Sequence, residues 1–190
     1  MEVGLIERFL AKKIETSLFK GKVLLIFGPR QVGKSTLAEN LLKKLGQPFF
    51  YLNGDELDTR IELSTSNSVR LKLLFGEHKL VFIDEAQRVP GIGLILKICV
   101  DQLKDVQVIA TGSSSFDLAN ALNEPLTGRK FEFFLYPLSF FEMVQHHGLL
   151  QEKRLLEHRL IFGYYPEIVT HLGEETERLK LLAGSYLYKD

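Results

Sequence analysis

Five short apolar runs punctuate the chain: Val23-Leu24-Leu25-Ile26-Phe27, Phe49-Phe50-Tyr51-Leu52, Lys79-Leu80-Val81-Phe82-Ile83, Val106 to Thr111, and Phe131 to Leu135. Runs this short, rich in β-branched and aromatic residues, predict buried strands. Between them the apolar positions recur at helical spacing. Leu37, Leu41, Leu42 and Leu45 share one side of a helix, with Glu39, Asn40, Lys43 and Lys44 mostly on the other. Ile92, Ile95, Leu96, Cys99 and Leu103 make a second stripe, and Ile6, Phe9, Leu10, Ile14 and Leu18 predict an amphipathic helix over 3–19. Residues 56–67 read as a loop or short helix, and Ser68 is expected to cap a helix ending near Phe75. Another helix is expected after Ser113-Ser114-Ser115, to about Leu122. From Leu138 the pattern turns helical, over about 138–147, 151–162 and 174–188.

Strands alternating with helices imply an α/β fold, a parallel sheet with helices on both faces. Ligands of such sheets bind at the carboxyl ends of the strands. Four polar clusters are expected at or near those ends: residues 28–35, Asp84-Glu85, Thr111 to Ser113, and Arg129.

The first cluster, Gly28-Pro29-Arg30-Gln31-Val32-Gly33-Lys34-Ser35, fits the phosphate-loop pattern G-x-x-x-x-G-K-[ST] and sits between a strand and a helix, as the motif requires. With glycine at about 7% of residues, the bare pattern arises by chance in roughly one chain of this length in a hundred. Gly28 and Gly33 let the backbone curl so that its N–H groups reach phosphate oxygens, and the helix opening at Lys34, Ser35 and Thr36 turns its positive end to the same anion. Lys34 brings a mobile charge, and the Ser35 hydroxyl is a ligand for Mg²⁺. The expected ligands are therefore a nucleoside triphosphate and Mg²⁺. An acid ending another apolar strand is the usual second anchor for the ion. Asp84 is expected in that role, with Glu85 placed to polarise an attacking water. Thr111 and Ser113 are the candidates for a fixed polar group against the γ-phosphate, and the sequence does not choose between them. They also read as a serine-rich turn capping the next helix. Arg129 reads equally as an arginine finger, within its own subunit or a neighbour's, and as an ion-paired surface residue.

Composition narrows the picture. Lys and Arg number 24, as do Asp and Glu, so net charge argues against nucleic acid or an anionic membrane as the partner. The N-terminus lacks an apolar leader segment and no run approaches membrane-spanning length. The single cysteine, Cys99, suits a reducing compartment. A soluble cytoplasmic protein is expected. The adjacent His146 and His147 make a poor metal pair, and the aromatic run Phe131, Phe133, Phe134, Tyr136, Phe140, Phe141 is expected to be core packing rather than a base-stacking surface.

With these residues placed, the chain resembles the AAA+-like ATPases of bacteria and archaea in which an N-terminal ATPase domain precedes a C-terminal domain of unknown function. The resemblance rests on FGPRQVGKSTL, YLNGDE, VFIDEAQRVPG, IATGSSSFDL, LTGRKFEFFLYPLSFFE and GYYPEIV, together spanning about 22–169. It implies a five-stranded sheet in the order 5-1-4-3-2, Lys34 and Ser35 as phosphate-loop ligands, Asp84 and Glu85 as metal and catalytic acids, a sensor at Thr111 to Ser113, and Arg129 as the arginine after the fourth helix. Residues 1–137 would be the ATPase core and 138–190 a helical lid, with Gly163-Tyr164-Tyr165-Pro166 near the glycine-proline element of nucleotide-switch ATPases. The chain would be the N-terminal portion of a longer protein with a nuclease-like output domain. ATP over GTP follows from the resemblance and from the lack of an N-K-x-D tetrapeptide. The function expected is Mg-dependent ATP binding and hydrolysis, in a possible homo-oligomer. A nucleotide-gated switch or interaction module with little turnover is the alternative.

Overall fold

The computed structural model describes residues 4–65, 67–113 and 125–187. Its contacts group into two units, one of Leu10–Pro29 and Lys34–Leu135, the other of Met1–Phe9, Arg30–Gly33 and Tyr136–Asp190. The helix expected after Ser115 lies outside the described residues.

The first unit is built on strands β1 (Val23–Phe27), β2 (Phe49–Asn53), β3 (Leu80–Asp84), β4 (Gln107–Gly112) and β5 (Lys130–Phe134). They form one sheet in the order β2-β3-β4-β1-β5, every pair parallel. This is the expected order read from the other edge. Every residue of β1, β3 and β4 is buried. Since successive side chains point to opposite faces, both faces of the central strands are covered. The edge strands β2 and β5 are only partly buried. The helices are α2 (Lys34–Lys44), α3 (Leu57–Ser64), α4 (Ser68–Phe75) and α5 (Ile92–Gln102). Leu63, Leu71, Phe75, Leu96 and Cys99 from the last three join Leu25, Val81 and Ile83 of the sheet in one core. Each such side chain contributes roughly 1.5–3 kcal/mol on burial. Burial pushes the Cys99 thiol up to about 12, so it packs as a small apolar group.

Several expected elements shift. Residues 57–64 settle as the helix α3, and α4 is capped by Asn67 rather than Ser68: the Asn67 Oδ1 accepts from the N–H groups of Val69 and Arg70 at 3.1 and 3.0 Å. The amphipathic helix expected over 3–19 is shorter, α1 (Phe9–Glu15). At its far end the Thr16 and Ser17 hydroxyls bond back to the Lys13 carbonyl, and Phe19 turns to φ 56. At its near end the Phe9 N–H donates to the Glu142 carboxylate at 3.0 Å, an acceptor no local pattern reveals. Of the aromatic run, Phe133 is buried, but Phe134, Tyr136 and Phe141 are exposed. On the edge strand β5 successive side chains alternate, so Phe133 is covered while Phe134 faces out; Tyr136 and Phe141 lie beyond the strand, where the expectation of core packing also fails.

The second unit carries helices α6 (Phe140–His147), α7 (Leu149–Arg154), α8 (Leu156–Phe162), α9 (Pro166–Thr170) and α10 (Glu175–Leu187). Ser139 and Glu142 form a reciprocal capping box at the start of α6. Leu138, Met143 and Val169 pack together with Ile6 and Tyr164 against them. A helix expected over 151–162 is broken at Leu155. The two halves bring Glu152, fully buried, and Arg159 to 3.6 Å of each other. Glu152 also accepts from the Tyr164 hydroxyl at 2.7 Å and meets His147 Nε2 at 2.8 Å.

Candidate functional site

Register sets the geometry. Phe27 of β1 pairs with Gly112 of β4, and Ile83 of β3 with Ala110. β4 lies between β1 and β3, so Thr111 stands between the strand that feeds the phosphate loop and the strand that ends in Asp84. The loop itself turns through two left-handed backbones, Gln31 at φ 59 and Gly33 at φ 93. A glycine takes the second without strain. Lys34 is buried, and its ammonium donates to the Gly28 and Pro29 carbonyls at 3.0 and 2.9 Å. The cation is thus folded over the start of its own loop. Ser35 and Thr36 follow in the first turn of α2, whose unsatisfied N–H groups favour an anion.

At the end of β3 the acidic pair is held by neighbours on both sides. The buried Thr111 hydroxyl donates to Asp84 Oδ1 and accepts from the Glu85 N–H at 3.2 Å, while Asp84 Oδ1 also accepts from the Glu85 N–H at 3.1 Å. Tyr51 of β2 lies near the same carboxylate. Burial, then the charge of Asp84, pushes its hydroxyl up to about 12. Glu85 sits at φ 48, a left-handed conformation that costs a residue with a Cβ about 1–2 kcal/mol. Gly54 braces it: the Gly54 N–H donates to the Asp84 carbonyl at 2.8 Å, and a Cβ at Gly54 would stand 2.4 Å from the Glu85 carbonyl oxygen. The Glu85 carboxylate accepts from the Gln87 carboxamide.

Ser35 and Asp84 offer hard oxygen ligands of the kind Mg²⁺ takes, a hydroxyl and a carboxylate whose outer partners are already in place. The donor set fits that ion. Among the described residues no cluster of three or more His, Cys, Asp or Glu side chains forms a metal cage.

Arg129 is a correction. It precedes β5, and the Val23 N–H donates to its carbonyl at 3.0 Å, which sets it at the amino ends of the strands. The phosphate loop leaves the carboxyl end of β1, so within one subunit Arg129 is at the wrong edge of the sheet. Its guanidinium pairs with Asp101 at 2.7 Å. Ser113 lies one residue beyond β4, and it is Thr111 that is bonded to the acidic pair. Tyr51, Gly54 and Gln87 were missed as parts of the site, although YLNGDE and IDEAQRVP carry them. Arg8 was missed entirely: its side chain donates to the Val32 carbonyl and to Glu142, both at 3.1 Å.

Residues 20–144 match the AAA domain family. The chain belongs to that family. This AAA domain is 33% identical over 123 residues to an uncharacterized protein of Mycobacterium tuberculosis, covering 64% of the chain and 26% of the relative. It is 29% identical over 116 residues to the replication factor C large subunit of Pyrobaculum islandicum, covering 56% of the chain and 27% of that protein. The chain therefore spans about a quarter of the length of these curated relatives. Its fold is that of the Walker-type ATPase of Pyrococcus abyssi, with a TM-score of 0.68 at 19% identity over 97% of this chain and 74% of the other. It is an AAA domain with a P-loop fold. No helix among the described residues is long and apolar enough to cross a membrane.

Proposed function

We propose that this AAA domain binds Mg·ATP on Gly28 to Thr36 and hydrolyses its terminal phosphoanhydride with Glu85 as general base. The observation that carries the reading is the register that brings the loop after β1, Thr111 of β4 and the Asp84-Glu85 end of β3 side by side. The backbone N–H groups of residues 30–33 and Lys34 cradle the phosphates, and Lys34 leaves its two loop carbonyls to follow the charge. Ser35 and Asp84 would hold Mg²⁺, which would supply charge neutralisation to the phosphates. Glu85 takes a proton from the attacking water, and Thr111 and Gly54 keep its backbone fixed while it does so. Arg129 serves as an arginine finger only across subunits of a homo-oligomer.

A second reading is favoured by the Gln87 contact on the Glu85 carboxylate. A base held by a neighbouring amide suits a switch that turns over slowly until a partner releases it.

The test is phosphate release from ATP and GTP with Mg²⁺, beside calorimetric binding of both, on wild type, Glu85→Gln and Lys34→Ala. Hydrolysis predicts ATP turnover that disappears in Glu85→Gln with binding retained, and binding lost in Lys34→Ala. Tight binding without turnover selects the switch, with Gln87→Ala expected to raise the rate. Absence of nucleotide binding in wild type rejects both.

A further inference from the structure

Arg8 lies outside every motif, yet its side chain is only 9% exposed. Each side of its guanidinium meets an acceptor. Nε donates to Glu142 Oε1 at 3.1 Å, Nη1 to the Val32 carbonyl at 3.1 Å, and Nη2 to the Tyr136 carbonyl. The planar fork of an arginine suits three acceptors at fixed angles, and no other cation does. The middle contact bears on the phosphate loop. A peptide group is planar and trans, so its C=O and N–H point in opposite directions. With the Val32 carbonyl held on Arg8, the N–H of Gly33 is turned away from Arg8. The loop cannot swing that N–H round without breaking a charge-assisted bond. The position where Gly33 would carry a Cβ lies 3.9 Å from Arg8 Nη1 and 4.0 Å from Pro166, so this peptide is flanked on its outer side.

We propose that Arg8 is a positioning residue of the phosphate loop: by holding the Val32 carbonyl, and being held in turn by Glu142 of α6, it fixes the Gly33 N–H toward the bound phosphate. The inference rests on the nucleotide-binding reading above. Its consequence is that residue 8, ahead of the core, and Glu142, well after it, both set nucleotide affinity without touching nucleotide. A loop aimed in advance binds the di- and triphosphate better by a common factor, because the cradle serves the phosphates they share.

The experiment is calorimetric binding of Mg·ATP and Mg·ADP with steady-state hydrolysis, on wild type, Arg8→Ala, Arg8→Lys and Glu142→Gln, with thermal melting of each without nucleotide. Arg8→Ala is expected to weaken ATP and ADP by the same factor, about 10–100-fold, to raise KM accordingly, and to leave kcat at saturation within about threefold. Arg8→Lys reaches one acceptor and recovers part of the affinity. Glu142→Gln, which leaves the Val32 contact in place but loosens the arginine, weakens binding by about two- to fivefold. A merely structural arginine would lower the melting temperature and leave both affinities unchanged well below it. That result, with Lys34→Ala still losing nucleotide, overturns the proposal while the ATPase reading stands. Wild type that binds neither nucleotide overturns both. Should Arg8→Ala fail to fold, Arg8→Lys and Glu142→Gln decide the matter, and wild-type affinity in both overturns it.

Discussion

The sheet unit and the helical unit hold their charged groups in opposite ways. In the sheet unit one large apolar cluster makes the core, and Asp84, Glu85 and Thr111 bond to one another at the carboxyl ends of the strands. In the helical unit the apolar cluster is small, Leu138, Met143 and Val169 with two partners, and carboxylates take up the interior. Glu152 is fully buried among His147, Arg159 and Tyr164, and Glu142 is buried against Arg8. The difference teaches what each unit is rigid for. Burial of aliphatic strands gives the sheet unit its stability and leaves its edge charges available for chemistry. In the helical unit the charges themselves are the structure, so their loss is felt as loss of order.

The sharpest test of that contrast removes one carboxylate from each unit. Glu85→Gln is expected to lower turnover about 10²–10⁴-fold with melting unchanged within about 0.5 kcal/mol. Glu152→Ala should do the reverse. It leaves Arg159 buried without its counter-ion, costs about 3–5 kcal/mol, and is read as faster amide exchange across 140–162 while the strands stay protected. Equal exchange in both units would break the comparison. Gly54→Ala comes next: the new Cβ forces the Glu85 backbone to move, at about 1–3 kcal/mol, and turnover falls with stability because both depend on that carbonyl.

Acid provides a gentler probe. Burial pushes the Glu142 carboxyl up, but the Ser139 N–H, the Arg8 charge and the Phe9 N–H outweigh it, and the group is held below its ordinary value of 4.5. A carboxyl depressed in the folded state binds its proton more readily when unfolded. Its stabilisation is therefore fully present above about pH 4.5 and is lost as pH falls through the lower folded value. Melting of wild type should decline in that window, and Glu142→Gln should flatten the decline. The smallest effect is expected at Arg129→Ala: unchanged nucleotide affinity, with any loss of turnover dependent on protein concentration. A concentration-independent loss would place the arginine in its own subunit's site after all.

How much of this was legible follows from where the information lies. The five strands and the phosphate loop are local signals. An apolar run between turns, or a glycine and lysine at fixed spacing, carries its meaning within a few residues, and the sheet order came with the family resemblance. Thr111 and the acidic pair were legible as candidates because they end apolar runs. Arg129 was misplaced because a residue before a strand was counted with residues after strands, a matter of chain direction that the sequence did contain. Pro166, at the first position of α9, was likewise a helix-start signal available in the sequence. Arg8, the short α1 and the break at Leu155 were different. Each depends on a partner more than a hundred residues away or on a buried charge network, and hydrophobic periodicity registers neither.

The sheet order has one more consequence, for how the protein is made. β1 precedes the other four strands of its sheet in the chain and is buried along its whole length, yet Leu24 pairs with Ile109 and Phe131. Its neighbours leave the ribosome roughly a hundred residues later, a wait of roughly 5–20 s at about 5–20 residues per second. For that interval a strand of five aliphatic and aromatic side chains, with both backbone edges open, is exposed to pairing with another chain. A strand made before both of its sheet neighbours depends, until they arrive, on Val23 to Phe27 not pairing with another copy.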